Sequence, residues 1–228
     1  PFLSQLDEKQ KTPQVLVLTP TRELAIQVAE AFQRYAKHIK GFHVLPIYGG
    51  ADIGGQLRGL KRGAQVVVGT PGRMLDHLRR RSLDLSQIKG LILDEADEML
   101  DLGFREDLEY ILAESPENRR TLMFSATVPK SIANLAKSYQ NNSYRISIKG
   151  EKEQHSDIDY RALSVSGRDT ENAIINVLRY YEPPNALVFC NTRAMVNKLT
   201  TRFSNRGFSV VALSGELTQG ERTNALQA

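Results

Sequence analysis

The sequence predicts an α/β protein whose parallel sheets are covered by helices on both faces. Three observations carry that expectation. Short β-branched runs recur between stretches of helical periodicity, most of these runs end in polar or acidic residues, and one stretch of the chain is repeated later in it. Strands buried on both faces read as continuous apolar runs, and their alternation with helices marks a parallel sheet.

Residues 15–18 (Val-Leu-Val-Leu) open the series of expected strands, followed by 44–48, 65–69, 91–94, 122–125, 187–190 and 210–213, with a further one near 144–148. Between them, residues 23–37 carry Leu24, Ile26, Val28, Ala31 and Phe32, compatible with one buried helical stripe. Residues 129–139 show the same pattern with Ile132, Leu135 and Ala136, and 170–180 with Ile174, Val177 and Leu178. A further helix can start at Thr70-Pro71-Gly72-Arg73, with Thr70 as its cap and Pro71 in the first position, where no amide proton is needed. The amides of Gly72 and Arg73 then point beyond the helix with the positive dipole end behind them, which favours an anion.

The repeat sets the domain organisation. Residues 16–32 laid over 187–203 match Leu16 with Leu187, Val17 with Val188, Thr21 with Thr192, Arg22 with Arg193 and Phe32 with Phe203. After a length difference, Gly41-Phe42, Val44 and Gly49 fall on Gly207-Phe208, Val210 and Gly215. The first block alone exceeds the roughly one identity expected from average composition. Both copies read strand, Thr-Arg, helix, Gly-Phe, strand, Gly, so two domains are expected: 1–149 and 158–228, joined by the polar, aperiodic linker 150–157. The second copy ends near Leu226, which aligns with Leu60, so the second domain is expected to be incomplete.

Composition bounds the function. With 228 residues, 41% hydrophobic and 25% charged, the chain has the make-up of a globular protein, and no apolar run approaches the roughly 18 residues that span a bilayer. No signal peptide is expected from the opening Pro1-Phe2-Leu3-Ser4-Gln5, no Cys/His metal spacing is legible, and the lone Cys190 lies in apolar company, so a reducing, cytoplasmic setting is expected. Net charge is only +4, yet Arg58, Lys61, Arg62, Arg73, Arg79, Arg80 and Arg81 face a single acid, Asp76, between 58 and 81. That excess fits either a solvated helix face or an electrostatic footprint for phosphates. Oligomeric state is not legible.

The chemistry concentrates in Leu91-Ile92-Leu93-Asp94-Glu95-Ala96-Asp97, where an apolar run ends in adjacent carboxylates. Ionised carboxylates are costly inside a sheet, but at the carboxyl end of a parallel strand the chain opens into the ligand crevice. A carboxylate there can hold magnesium on nucleotide phosphates while its neighbour orients a water. The competing reading is an acidic first turn that complements a helix dipole. Thr19-Pro20-Thr21-Arg22, Thr70-Pro71-Gly72-Arg73 and Ser125-Ala126-Thr127 follow other expected strands, and Gly49-Gly50 would let a backbone approach a ligand closely.

Taken together these strings resemble a DEAD-box ATP-dependent RNA helicase of superfamily 2, bacterial in style. PTRELAIQ (20–27) is similar to motif Ia, Gly49-Gly50 to the GG doublet, TPGR (70–73) to motif Ib, DEAD (94–97) to motif II and SAT (125–127) to motif III. LVFCNTR (187–193) resembles motif IV, and Gln219 with Arg222 fits the Q-x-x-R element after it. The resemblance implies tandem RecA-like domains that close on ATP and RNA and separate short duplexes. It implies that Asp94 holds Mg2+ largely through water, that Glu95 activates the attacking water, and that Asp97 bonds Ser125 or Thr127. It places Pro20, Thr21, Arg22, Gly50, Thr70, Gly72 and Arg73 along the RNA backbone, with Arg193, Gly215, Gln219 and Arg222 making RNA or interdomain contacts on the second domain. Backbone contacts carry no base identity, so binding without sequence specificity follows.

The departures matter equally. No G-x-x-x-x-G-K-[ST] occurs in the chain and no glycine is followed by lysine, so the first domain is expected to lack its P-loop start and the chain alone to be inactive. The alternative is a non-catalytic, RNA-binding truncated paralogue acting as a chaperone or competitor.

Overall fold

The computed structural model describes residues 2–140, 143–146 and 158–227, with side chains to 225. The chain divides into two compact units at the junction of Tyr144 and Arg145.

The first unit is built on a five-stranded parallel sheet in the order β2-β3-β1-β4-β5. Its strands are β1 (Val15–Leu18), β2 (Val44–Ile47), β3 (Val66–Gly69), β4 (Gly90–Leu93) and β5 (Arg120–Met123). Each matches an expected run to within a residue or two. The largest offset is at β5, which ends two residues before Ser125, so Ser125 lies in a loop rather than at the strand end.

Although β1 and β3 are apolar throughout, alternation still sorts their side chains between two faces. Val15, Val17, Val66 and Val68 pack with Ala25 and Ala29 of helix α1 (Arg22–Tyr35). Leu16, Leu18, Val67, Leu91 and Leu93 face the other way, against Met74 of α3 (Pro71–Arg79), Met99 of α4 (Ala96–Asp101), Ile111 of α5 (Arg105–Ala113) and Leu135 of α6 (Lys130–Tyr139). Helices on both faces are what a parallel sheet requires, because neither face can meet water.

Local signals set where the helices begin. The Thr21 hydroxyl accepts from the Leu24 amide at 3.3 Å and starts α1. Asp52 caps α2 (Ile53–Arg62) by accepting from the amides of Gly54 (3.0 Å) and Gly55 (2.7 Å). Thr70 stands at the cap of α3 with Pro71 behind it, yet its hydroxyl makes no capping bond, contrary to the expectation from sequence. The residue is buried, and its backbone does the work: its amide donates to Ile47 and its carbonyl accepts from Met74.

The second unit departs from expectation. It holds α7 (Thr170–Tyr181), α8 (Arg193–Ser204) and α9 (Gln219–Gln227) around a small core of Ile175, Leu199 and Phe203. Neither 187–190 nor 210–213 forms a strand, and 143–146 is irregular; 147–157, including the expected linker, lies outside the described residues. A strand exists only with a ladder partner for its amides and carbonyls. Among the described residues no ladder forms in this unit, and Leu187 and Phe189 stand 88% and 92% exposed. The expectation of a parallel sheet in both halves therefore holds for the first only.

The repeated segments nevertheless share local geometry. Thr192 caps α8 by accepting from the Met195 amide at 3.2 Å, as Thr21 caps α1. Gly41 and Gly207, which follow the two matched helices, both take positive φ, 71° and 83°. Helix α9 opens on a capping box, with Glu221 accepting from the Thr218 amide and hydroxyl at 2.7 and 2.8 Å. Among the described residues no helix is long and apolar enough to cross a membrane.

Candidate active site at the strand carboxyl edge

The register brings the five strand ends into one row. Leu18 pairs with both Gly69 and Leu93, Gly69 also with Ile47, and Leu93 also with Met123. Ladder hydrogen bonds continue one residue further: Thr19 N to Gly69 O (3.0 Å), Thr70 N to Ile47 O (3.1 Å), Asp94 N to Leu18 O (2.9 Å) and Phe124 N to Leu93 O (2.8 Å). Thr19, Thr70, Asp94 and Phe124 thus stand side by side at the carboxyl edge.

The crevice lies where the connections diverge. The chain leaves β1 through α1 towards the β2 side, and leaves β4 through α4 and α5 towards β5. In open α/β sheets ligands enter between two such strands, here between the Thr19–Arg22 turn and Asp94-Glu95. Asp94 is half-buried and Glu95 exposed. Glu95 holds left-handed backbone angles, φ 51° and ψ 52°, directly before α4, a conformation disfavoured for any residue with a Cβ.

Asp97, in the first turn of α4, reaches across to the loop after β5. Its Oδ2 accepts from the Thr127 amide and hydroxyl, each at 2.8 Å, and the Ser125 hydroxyl donates to the Thr127 carbonyl at 2.6 Å. Desolvation pushes the Asp97 carboxyl upward, but the bonds from Thr127, with help from Ser125, outweigh it and hold the pKa at about 2.

A second cluster lies at the β2–β3 side. Gly50 has φ 84°, and a Cβ there would run into the Arg22 guanidinium. From the other side, Arg73 Nη1 donates to the Ala51 carbonyl (3.3 Å) and to Gln56 Oε1 (3.2 Å). The loop after β2 is therefore held between arginines from the first turns of α1 and α3. No acidic residue occupies the first turn of α3, so its positive dipole end is not offset from within the helix. Asp107 stands beside Gly72, its carboxyl raised by burial against the opposing pull of Arg79.

Not every expected contact residue faces solvent. Pro20 and Thr70 are buried, which leaves Thr21 and Arg22 at one turn and Gly72 and Arg73 at the other as the accessible positions. In the second unit the Arg193 guanidinium packs over Gly215 and approaches Glu216 at 3.8 Å, repeating the placement of Arg22 at the diglycine. Gln219 opens α9, and Arg222, one turn on, donates its amide to the Thr218 carbonyl at 3.0 Å.

Sequence reasoning missed four positioning residues in the first unit. Thr19 is fully buried and its hydroxyl donates to the Thr21 carbonyl at 3.1 Å. Gly69 lies so close to β2 that a Cβ would collide with the Ile47 carbonyl. Gln56 and His77 are buried and hydrogen-bonded to each other at 3.0 Å. The available signals were a histidine one helical turn after Met74 and a glycine ending a valine run.

Residues 1–135 match the DEAD/DEAH box helicase family, and residues 169–228 match the helicase conserved C-terminal domain. The chain is 44% identical over 228 residues to the ATP-dependent RNA helicase DeaD of Mycobacterium tuberculosis (strain CDC 1551 / Oshkosh), covering all of this chain and 40% of that protein. It is 41% identical over 227 residues to the protein of the same name from Escherichia coli K12, covering 36% of it. The crystal structure of a DEAD box protein from Methanococcus jannaschii superposes with a TM-score of 0.61 at 37% identity, over all of this chain and 60% of that one. The chain thus spans well under half the length of these curated relatives.

Proposed function

Since the chain belongs to the DEAD/DEAH box helicase family, we propose that it supplies the water-activating and RNA-facing surfaces of an ATP-dependent RNA helicase, in which RNA-stimulated ATP hydrolysis drives local duplex unwinding or remodelling of RNA–protein particles. We read 1–149 and 158–228 as its two RecA-like portions and 150–157 as their linker, in a cytoplasmic setting. The observation that carries the reading is the placement of Asp94 and Glu95 at the diverging strand ends, with Asp97 bonded to the loop after β5.

Among the described residues no three His, Cys, Asp or Glu side chains gather as a cage for a metal. A single half-buried carboxylate, Asp94, suits magnesium, which keeps most of its waters and is shared with substrate phosphates. When bound, that ion would neutralise charge developing on the phosphate oxygens. Glu95, exposed at the crevice, would orient and deprotonate the attacking water. Asp97 would act through Thr127, tying the nucleotide side of the sheet to the segment after β5. Arg22, Gly50, Gly72 and Arg73 would meet the RNA backbone, where phosphate contacts position the strand without reading bases. Arg193, Gly215, Gln219 and Arg222 would extend the path on the second portion.

The test is RNA-stimulated ATP hydrolysis by the whole protein with and without Glu95→Gln. The amide keeps the shape but cannot take a proton, so turnover should fall at least about hundredfold, the low end for acid–base groups, with ATP binding retained. A loss under about tenfold would remove Glu95 from this role.

A further inference from the structure

Two residues outside the motifs, Gln56 and His77, form a buried hydrogen-bonded pair beneath the diglycine turn. The Gln56 side chain is only 5% exposed and His77 is fully buried. Gln56 Nε2 donates to the Tyr48 carbonyl at 2.9 Å, which orients its amide so that Oε1 faces α3. There Oε1 accepts from Arg73 Nη1 at 3.2 Å and meets His77 Nε2 at 3.0 Å. Because Oε1 can only accept, the proton of His77 sits on Nε2. The other ring nitrogen meets the Ser82 hydroxyl at 2.8 Å.

The consequence lies in the loop. Tyr48 and Ala51 flank Gly49-Gly50, and Gln56 holds the carbonyl of the first while Arg73 holds that of the second at 3.3 Å. Gln56 and Arg73 hold each other. One end of a two-glycine turn, the most entropically free kind of backbone, is therefore fastened to the Gln56 amide directly and the other through Arg73. Burial makes that amide costly to leave unpaired, so the arrangement favours one loop conformation and one Arg73 orientation. Asp52, which caps the helix carrying Gln56, continues the same loop.

We propose that Gln56, held by His77, is a positioning residue that preorganises the diglycine turn and Arg73 for a nucleic-acid backbone; this rests on the RNA-binding reading above. Gln56 touches no phosphate itself. It reduces the ordering that binding would otherwise require, so its loss is felt in RNA affinity and not in the chemistry.

A double-mutant cycle in the whole protein tests it, with an unstructured oligonucleotide as probe. Gln56→Leu should raise the RNA concentration for half-maximal ATPase stimulation about tenfold, equivalent to about 1.4 kcal/mol, with the rate at saturating RNA within about twofold. In an Arg73→Ala background the same substitution should add only about two- to threefold, because its route through Arg73 is gone and only its direct hold on the Tyr48 carbonyl remains. If Gln56→Leu does not fold, Gln56→Asn, one methylene shorter, replaces it with the polar group kept. Equal effects in both backgrounds, or a lowered rate at saturating RNA, would overturn the positioning role. An absence of RNA binding by the wild-type protein would overturn the RNA reading and this inference with it, whereas wild-type binding unaffected by Gln56→Leu overturns this inference alone.

Discussion

The carboxylate of Asp97 receives two hydrogen bonds from Thr127 through a single oxygen, one from the amide and one from the hydroxyl, each 2.8 Å long. The partners lie 30 residues apart, on either side of β5. The contact fastens α4, which follows the Asp94-Glu95 pair, to the loop that leaves the sheet's edge.

That contact should make acid sensitivity local. With its folded pKa held at about 2, below the usual carboxylate value near 3.9, Asp97 contributes stability that is fully present above the usual value. The contribution is lost as pH falls through about 2. Asp97→Asn carries no such charge, so its melting temperature should fall less between about pH 4 and pH 2 than that of the wild type. Asp52 and Asp76 are lowered as well and titrate in both proteins, so the difference isolates Asp97. Parallel curves would mean that the bonds to Thr127 add nothing.

Glu95 should be worth more to activity than to stability. Arg81 and Glu182 also have positive φ, but at helix C-termini, where that conformation is common; Glu95 has φ 51° ahead of a helix. Relief of about 1–2 kcal/mol of backbone strain exceeds the added chain entropy of glycine, about 0.5–1 kcal/mol. Glu95→Gly should therefore stabilise the first unit by about 0.5–1 kcal/mol in urea unfolding, while Glu95→Gln stays within about 0.5 kcal/mol of wild type. Both should abolish hydrolysis in the whole protein. A destabilised glycine variant would show that Glu95 is not strained.

Three glycines separate steric from conformational need. Gly41 has φ 71° with open space around it, Gly69 has no positive φ but abuts the Ile47 carbonyl, and Gly50 combines φ 84° with the Arg22 guanidinium. Gly41→Ala should cost about 1 kcal/mol from backbone conformation alone. Gly69→Ala should cost about 1–3 kcal/mol, because the obstacle is backbone in the neighbouring strand and can yield only by moving β2. Gly50→Ala should lose RNA affinity as well as stability, since Arg22 must move. Equal costs at Gly41 and Gly69 would argue that β2 shifts freely.

The difference between these positions also shows what a sequence can disclose. The strands of the first unit were legible because burial on both faces leaves uninterrupted apolar runs, as in Val15–Leu18 and Val66–Gly69. The Thr-Arg pairs at 21–22 and 192–193 were legible as a repeat, but not as caps: the cap expected at Thr70 makes no side-chain bond, whereas Thr21 and Thr192 do. Gln56 and His77 were not, because what matters is an encounter 21 residues apart that no local pattern encodes. The runs at 187–190 and 210–213 misled for the converse reason: their composition suits strands, but a strand also needs a neighbour, and composition cannot supply one.

The two units should therefore differ in stability when this chain is studied as it stands. The first places 18 buried side chains in one cluster alone and satisfies its strand backbones through a continuous ladder. The second buries Ile175, Leu199 and Phe203, braced by Glu171 with Lys198 and Arg202. Those ion pairs are largely exposed on their basic side, and exposed pairs contribute about 0–1 kcal/mol. Three buried side chains offset little of the chain entropy of a unit this long, while Leu187, Phe189 and Val211 keep apolar surface in water. Hydrogen exchange should show amides of α7 and α8 opening well before those of β1, β3 and β4, and limited proteolysis should leave a core that ends near Tyr144. Equal protection in the two units would show that the second is held by packing beyond its three-residue core, and that the exposed runs at 187–190 and 210–213 do not weaken it.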